Sequence, residues 1–124
     1  VDPAPVLSAG AFVVQNEKGA CMTGPGKEEA SKRLGITSEV YDDLYADFLA
    51  LARENAVLIG EASAQCDWTR AGKIAHSIKG MAGNLGVAGV FESARDAERA
   101  AIEGRDSAVI AERIQDLTRQ ISQL

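Results

Sequence analysis

The 124-residue chain contains a single histidine, His76. It lies in a run made largely of small, basic and apolar residues: Arg70-Ala71-Gly72-Lys73-Ile74-Ala75-His76-Ser77-Ile78-Lys79-Gly80-Met81-Ala82-Gly83-Asn84-Leu85-Gly86. An imidazole near neutral pH offers an unprotonated ring nitrogen, so such a residue can be a nucleophile, a proton acceptor or a metal ligand. Its being the only histidine removes the multi-histidine metal sites and the H-E-x-x-H helix. Haem or metal binding through one exposed ring is disfavoured, because neither a second histidine nor a suitable methionine shares its face. No G-x-x-x-x-G-K loop occurs, so no nucleotide-phosphate cradle accompanies the ring. What remains is a nucleophile or docking point that something else must approach.

The spacing around the ring says what that approach requires. On a helical wheel at ~100° per residue, Ile74, Ile78, Met81 and Leu85 fall within about 40° of the side opposite His76, which assigns them to a core. Gly72, Lys79, Gly80 and Gly83 fall on the His76 side, flanked by Lys73 and Asn84. Three glycines in a helix interior cost roughly 1 kcal/mol each relative to alanine, and a solvated face gains nothing in return. They do gain something if another surface must come close to the backbone beside the imidazole. The competing explanation is close packing of a neighbouring helix inside the domain, and the position of the glycines opposite the bulky apolar residues favours the open face. Charge points the same way. No acidic residue occurs between Asp67 and Glu92, where Arg70, Lys73 and Lys79 make a locally positive stretch in a chain of net charge -5. Such a patch suits a phosphoryl group or an acidic partner pocket. Ser77 lies off this face and is assigned to packing or to the helix backbone.

The elements that must position this helix follow from punctuation and periodicity. Pro3, Pro5 and Pro25 all precede residue 27, and no proline follows, so residues 1–26 read as a linker or N-terminal arm and residues 27–124 as the domain. Residues 11–15 (AFVVQ) are the one strand-like run. A short helix fits residues 27–34, stopped by Gly35. Thr37 or Ser38 caps a long amphipathic segment to about Gln65, with a kink expected near Asn55. Asp67 caps the helix of His76, which ends at Gly86. Another runs from Val87 to Glu103, and Asp106 or Ser107 opens the last, striped by Ile110, Ile114, Leu117, Ile121 and Leu124. Short loops between these helices predict an all-α fold: an antiparallel up-and-down four-helix bundle with a short additional N-terminal helix.

Composition bounds the rest. With 46% hydrophobic and 25% charged residues this is one globular domain, and 5% aromatics require a core of Ala, Leu, Ile and Val. Eighteen acidic against thirteen basic residues argue against nucleic acid as a partner. The two cysteines, Cys21 and Cys66, form no framework and point to a reducing, cytoplasmic setting. Apolar runs fall far short of a membrane span. Residue 1 is valine, which indicates a processed product or a piece of a longer protein, and the first ten residues lack the features of a retained signal peptide.

The segment from Ala75 to Gly86 resembles the signature of histidine-containing phosphotransfer (HPt) domains, the relay modules of multistep two-component signalling. The match falls on His76, Ile78, Lys79, Gly80, Ala82, Leu85 and Gly86. Cys66-Asp67-Trp68 before the helix and Gly104-Arg105-Asp106 between the last two helices are similar as well, and the likeness spans residues 28–124. The resemblance implies that His76 takes a phosphoryl group from the aspartyl phosphate of a response-regulator receiver domain and passes it to another receiver aspartate. Lys79 would offset phosphoryl charge, while Gly72, Lys73, Gly80, Gly83 and Asn84 would meet the partner. It further implies a stoichiometric carrier, not an autonomous enzyme, that needs no cofactor of its own, the Mg²⁺ being held by the receiver. A sensor histidine kinase in the same or another chain is a further expected partner, and a monomer the expected state. The docking rim would include the first short helix and part of the second. In the family a polar side chain, often Gln, lies near the ring on the adjacent helix; here Arg95, Glu98 and Arg99 are the candidates, and a Glu would repel phosphate. Cys66 and Trp68 are expected to close their helix hairpin by packing. A docking-only module that binds a receiver without carrying phosphate is the alternative function, and a plain interaction bundle the simplest one.

Overall fold

The computed structural model describes residues 25–124, which form five helices and no strand. They are α1 (Pro25–Leu34), α2 (Ser38–Ala64), α3 (Trp68–Leu85), α4 (Ala88–Ile102) and α5 (Ser107–Ser122). The expectations for residues 11–15 and for Cys21 lie outside the described residues. Helix α1 begins inside the stretch assigned to an arm: Pro25 is its first residue, where a proline has no amide hydrogen to lose and its fixed φ suits the helix. Helix α2 runs unbroken through Asn55. The predicted caps of α2 and α3 are formed. Thr37 accepts from the Val40 amide at 3.2 Å and Asp67 from the Arg70 amide at 3.2 Å. Asp106 precedes α5 without such a bond.

Periodic apolar residues set the packing. Tyr41, Phe48, Ala52 and Ile59 of α2 and Ile110, Ile114, Leu117 and Ile121 of α5 recur at helical spacing and are buried together. Helices α3 and α4 bring a smaller stripe, with Ala71, Ala75, Ile78 and Ala82 on one and Val90, Ala94, Ala97 and Ala100 on the other. Helix α2 packs on α3 and α5, and α4 packs on the same two, which closes a ring of four around the core. The core lacks bulk where α3 meets α4, so those two axes can approach closely.

Helix α1 lies across α2 and α3 and finishes the end of the helix that carries His76. The Arg33 guanidinium donates to the carbonyls of Gly83 (3.1 Å) and Asn84 (3.0 Å), and the Tyr41 hydroxyl donates to the carbonyl of Leu85. These carbonyls belong to the last turn of α3, which has no partners of its own within the helix. Burial, with added repulsion from Tyr45 and Asp42, pushes the Tyr41 hydroxyl far above its ordinary ionisation range, so it remains a donor. Lys27 fastens α1 to α2 through Asp42 at 2.7 Å.

The first four helices end the same way, with a left-handed residue followed by a six-to-one amide bond. After α3 that residue is Gly86 (φ 74), and the Val87 amide reaches the Ala82 carbonyl at 2.9 Å. Gly35 and Gly104 serve α1 and α4 likewise. After α2 the position is held by Cys66 (φ 55), with the Asp67 amide on the Ala62 carbonyl at 2.8 Å. The thiol is free and exposed, so Cys66 does not pack to close the hairpin as expected; Trp68, packed against the core, does that alone. A left-handed residue with a Cβ costs about 1–2 kcal/mol, part of which returns as chain entropy when glycine replaces it. Cys66→Gly is therefore expected to stabilise the domain by about 0.5–1 kcal/mol. Thermal unfolding followed by circular dichroism checks this, and a lower melting temperature in the variant would contradict it.

Candidate functional site

The Asp67 cap starts α3 and the Gly86 turn stops it, so the intervening turns carry His76, Lys79, Gly80 and Gly83 in fixed register. The buried sector of α3 passes through Ala71, Ala75, Ile78, Ala82 and Leu85. Its mean direction is turned roughly 40° away from the point opposite His76, toward Gly72, Lys79 and Gly83. Ile74 and Met81 accordingly end up half-buried at its margin. Weighting large apolar residues over alanines misplaces the core by that angle.

This rotation corrects part of the expected open face. Gly72 is buried, and a Cβ there would stand 3.3 Å from the Cβ of Ala101. A Cβ on Gly83 would stand 3.2 Å from the Phe91 ring. Both glycines face α4 and allow its close approach, the role that the sequence reading ranked second. Gly80 is exposed with nothing within 4 Å of its missing Cβ. Lys73 and Asn84 are exposed beside it, as is Ser77, which therefore has no packing role. His76 projects from the bundle with its side chain 67% exposed.

Glu98 arrives on α4 from across the interface. On that helix Phe91, Ala94, Glu98 and Ala101 recur at helical spacing; Phe91 and Ala101 are the residues beside Gly83 and Gly72. The carboxylate is only 14% exposed, and each of its oxygens has a separate task. Oε2 lies 2.7 Å from His76 Nδ1, and Oε1 lies 2.7 Å from Lys79 Nζ. Burial alone would push this carboxyl up. The hydrogen bonds and charges of Lys79 and His76 outweigh it and hold Glu98 below its ordinary value of 4.5. Of the three candidates for the neighbouring polar group, Arg95 instead lies 3.6 Å from Asp96 and Arg99 is exposed. The legible signal for Glu98 was an acid set among alanines on one stripe of α4.

An ionised carboxylate only accepts hydrogen bonds, so Nδ1 of His76 is the donor and carries the ring proton. In the neutral ring the lone pair is then on Nε2, and the side chain as a whole is open to solvent. Lys79 uses one of its three donors on Glu98 and retains two. The site therefore offers a nucleophilic nitrogen, a half-buried cation one turn away, and an open glycine beside them.

The sequence model of the Hpt domain matches residues 43–124, well over half of the chain, and the protein belongs to the Hpt domain family. That places it in phosphotransfer signalling, as a phosphocarrier of helical-bundle fold. Comparison with curated proteins and with solved structures returns no match. Among the described residues no helix is long and apolar enough to cross a membrane, and no group of three or more His, Cys, Asp or Glu is arranged to hold a metal ion.

Two outcomes follow from these contacts. Gly80→Ala is expected to stabilise the fold by about 1 kcal/mol, whereas Gly72→Val, which pushes on Ala101, is expected to cost about 1–3 kcal/mol. Urea unfolding of the pair reads both signs, and stabilisation by Gly72→Val would remove the packing role. A carboxyl depressed on folding contributes stability that is fully present above its unfolded value and fades as pH falls through the lower folded one. Stability measured from pH 7 downward is thus expected to begin falling near 4.5 in the native chain, with a shallower fall in Glu98→Gln. Parallel acid limbs would show that the ion pairs contribute nothing.

Proposed function

We propose that His76 accepts a phosphoryl group through Nε2 from the aspartyl phosphate of a receiver domain and passes it to the aspartate of another receiver. The observation that carries this reading is the hydrogen bond of Nδ1 to Glu98, because in the neutral ring it leaves the lone pair on Nε2, on a side chain that is 67% exposed. The lone pair of Nε2 forms the P–N bond as the P–O bond to the aspartate breaks, and that electron pair leaves on the aspartate carboxylate. The Nδ1 proton stays where it is, so no base is needed. Lys79, whose side chain is 28% exposed, has donors left for the phosphoryl oxygens in transit. Mg²⁺ is supplied by the receiver and phosphoryl groups by its partner kinase, so the chain itself acts as a stoichiometric carrier.

The docking face is argued from the same geometry. Gly80 leaves the backbone open beside the ring, with Lys73 and Asn84 at its edges. Leu34, Val40 and Leu44 are 40–43% exposed on α1 and α2, at the end that Arg33 and Tyr41 tie to the last turn of α3. They supply an apolar rim for a receiver. The cyclic adjacency of α2 to α5 and their two- to four-residue links are consistent with an antiparallel up-and-down bundle. A single face of this kind suits a monomer that binds a heterologous partner in the cytoplasm.

Phosphoryl transfer tests the reading. A receiver charged with acetyl phosphate and Mg²⁺ is expected to put an acid-labile, base-stable phosphoryl group on the native chain and none on His76→Gln. Since His76 projects into solvent, that variant keeps the fold. Lys79→Ala is expected to slow transfer by about tenfold or more. Binding without label would leave a docking module, and neither binding nor label would remove the relay function.

A further inference from the structure

The carboxylate that orients His76 before transfer remains beside the ring afterwards, and the consequences rest on the relay reading above. We infer that Glu98 keeps the phosphorylated ring protonated at Nδ1, which makes the domain a transit point that releases its phosphoryl group readily rather than a store.

The argument is one of donors and acceptors. Attack by Nε2 on phosphorus leaves the ring with a P–N bond at Nε2, a proton at Nδ1 and a positive charge spread between them. Loss of that proton would give a neutral phosphorylated ring. In the first form the ring departs as neutral imidazole when the P–N bond breaks toward the next acceptor. In the second it would have to depart as an imidazolide anion, a far poorer leaving group. Which form persists depends on what faces Nδ1. Glu98 Oε2 faces it at 2.7 Å and, while ionised, can only accept, so an unprotonated Nδ1 would set a lone pair against a carboxylate oxygen. The carboxylate cannot turn away freely, because Lys79 holds its other oxygen at 2.7 Å. His76 and Lys79 from α3 are the charged groups that bear on Glu98. On α4 its flanking Arg95 lies by Asp96 and Arg99 is exposed, and no charge from α2 or α5 contributes. A glutamine at this position would behave differently, since its amide can accept from Nδ1–H or donate to a bare Nδ1. Glutamate therefore removes the inert form that glutamine would tolerate. Glu98 is here a positioning residue that acts on the leaving group through Nδ1.

The test uses the full chain phosphorylated at His76 with phosphoramidate, so that it does not depend on any receiver. Nitrogen-15 NMR of the labelled ring reads the Nδ1 proton directly, and loss of phosphate is timed in parallel between about pH 6 and 9, the range in which imidazoles titrate. In the native chain the Nδ1–H signal is expected to persist, and decay to stay fast, to a pH about one unit higher than in Glu98→Gln. At about pH 8 the variant should hold its phosphate roughly tenfold longer. A native ring already bare at Nδ1 at that pH, or coincident profiles for the two proteins, would overturn the inference. The first of these needs no variant, and the unchanged shape of glutamine guards the second against misfolding. If the profiles separate but no receiver takes up the label, the relay reading fails while the action of Glu98 on the ring stands. If His76 takes no phosphate even from phosphoramidate, both fail.

Discussion

A glutamate side chain is short, so Glu98 can hold both His76 and Lys79 at 2.7 Å only where α3 and α4 run close together. That proximity is built from small residues. Gly72 meets Ala101, Gly83 meets Phe91, and alanines line both helices between them. A bulkier side chain at either glycine would lever the helices apart and stretch the bonds of Glu98 to His76 and Lys79, the first of which orients the ring. Packing and chemistry are thus one constraint: the glycines cost helix stability, and what they secure is the position of a carboxylate on a different helix. The remaining open glycine, Gly80, has no such neighbour, so its cost is met by nothing inside the domain.

The rest of the bundle supports this pair of helices. The large aliphatic and aromatic residues are concentrated on α2 and α5, which brace α3 and α4 from opposite sides. Helix α1 contributes little bulk but satisfies carbonyls that a helix end leaves open. Arg33 and the Tyr41 hydroxyl take the carbonyls of Gly83, Asn84 and Leu85, so the terminal turn of α3 does not fray toward the site. The left-handed turn at Gly86 then directs the chain into α4, and a Cβ there would press to 3.0 Å on the Gly26 carbonyl of the α1 start. A turn, a cap and a neighbouring helix all converge on the segment that begins at His76.

Much of this was legible in the sequence because it rests on local rules. Capping residues, terminal glycines and the absence of proline after residue 25 place α2 to α5 to within a few residues, and His76 as the lone exposed imidazole follows from the periodicity of α3. What was not legible depended on the angle at which two helices meet. Alanine is read as neutral in a hydrophobic pattern, yet Ala71, Ala75 and Ala82 turn the buried sector of α3 and carry Gly72 and Gly83 into the interface. Glu98 was visible as a candidate, but only as a charge that would repel phosphate. Its value to the ring depends on a hydrogen bond between helices twenty-two residues apart, and periodicity along one helix carries no information about that. Cys66 gave no warning either: its left-handed backbone is set by the turn, and a thiol is no signal for it.

The electrostatics of the site close the argument. Residues between Asp67 and Glu92 include no acid, so α3 alone presents Arg70, Lys73 and Lys79 as a basic patch on an acidic chain. By itself such a patch would attract any phosphate in solution. Glu98 changes that by pairing with Lys79 from the neighbouring helix, so that the charge of this lysine is offset within the domain. The pull of the patch on stray anions is thereby reduced, while Lys79 keeps two donors free. A single half-buried acid on the neighbouring helix thus orients the one imidazole and restrains the cation beside it.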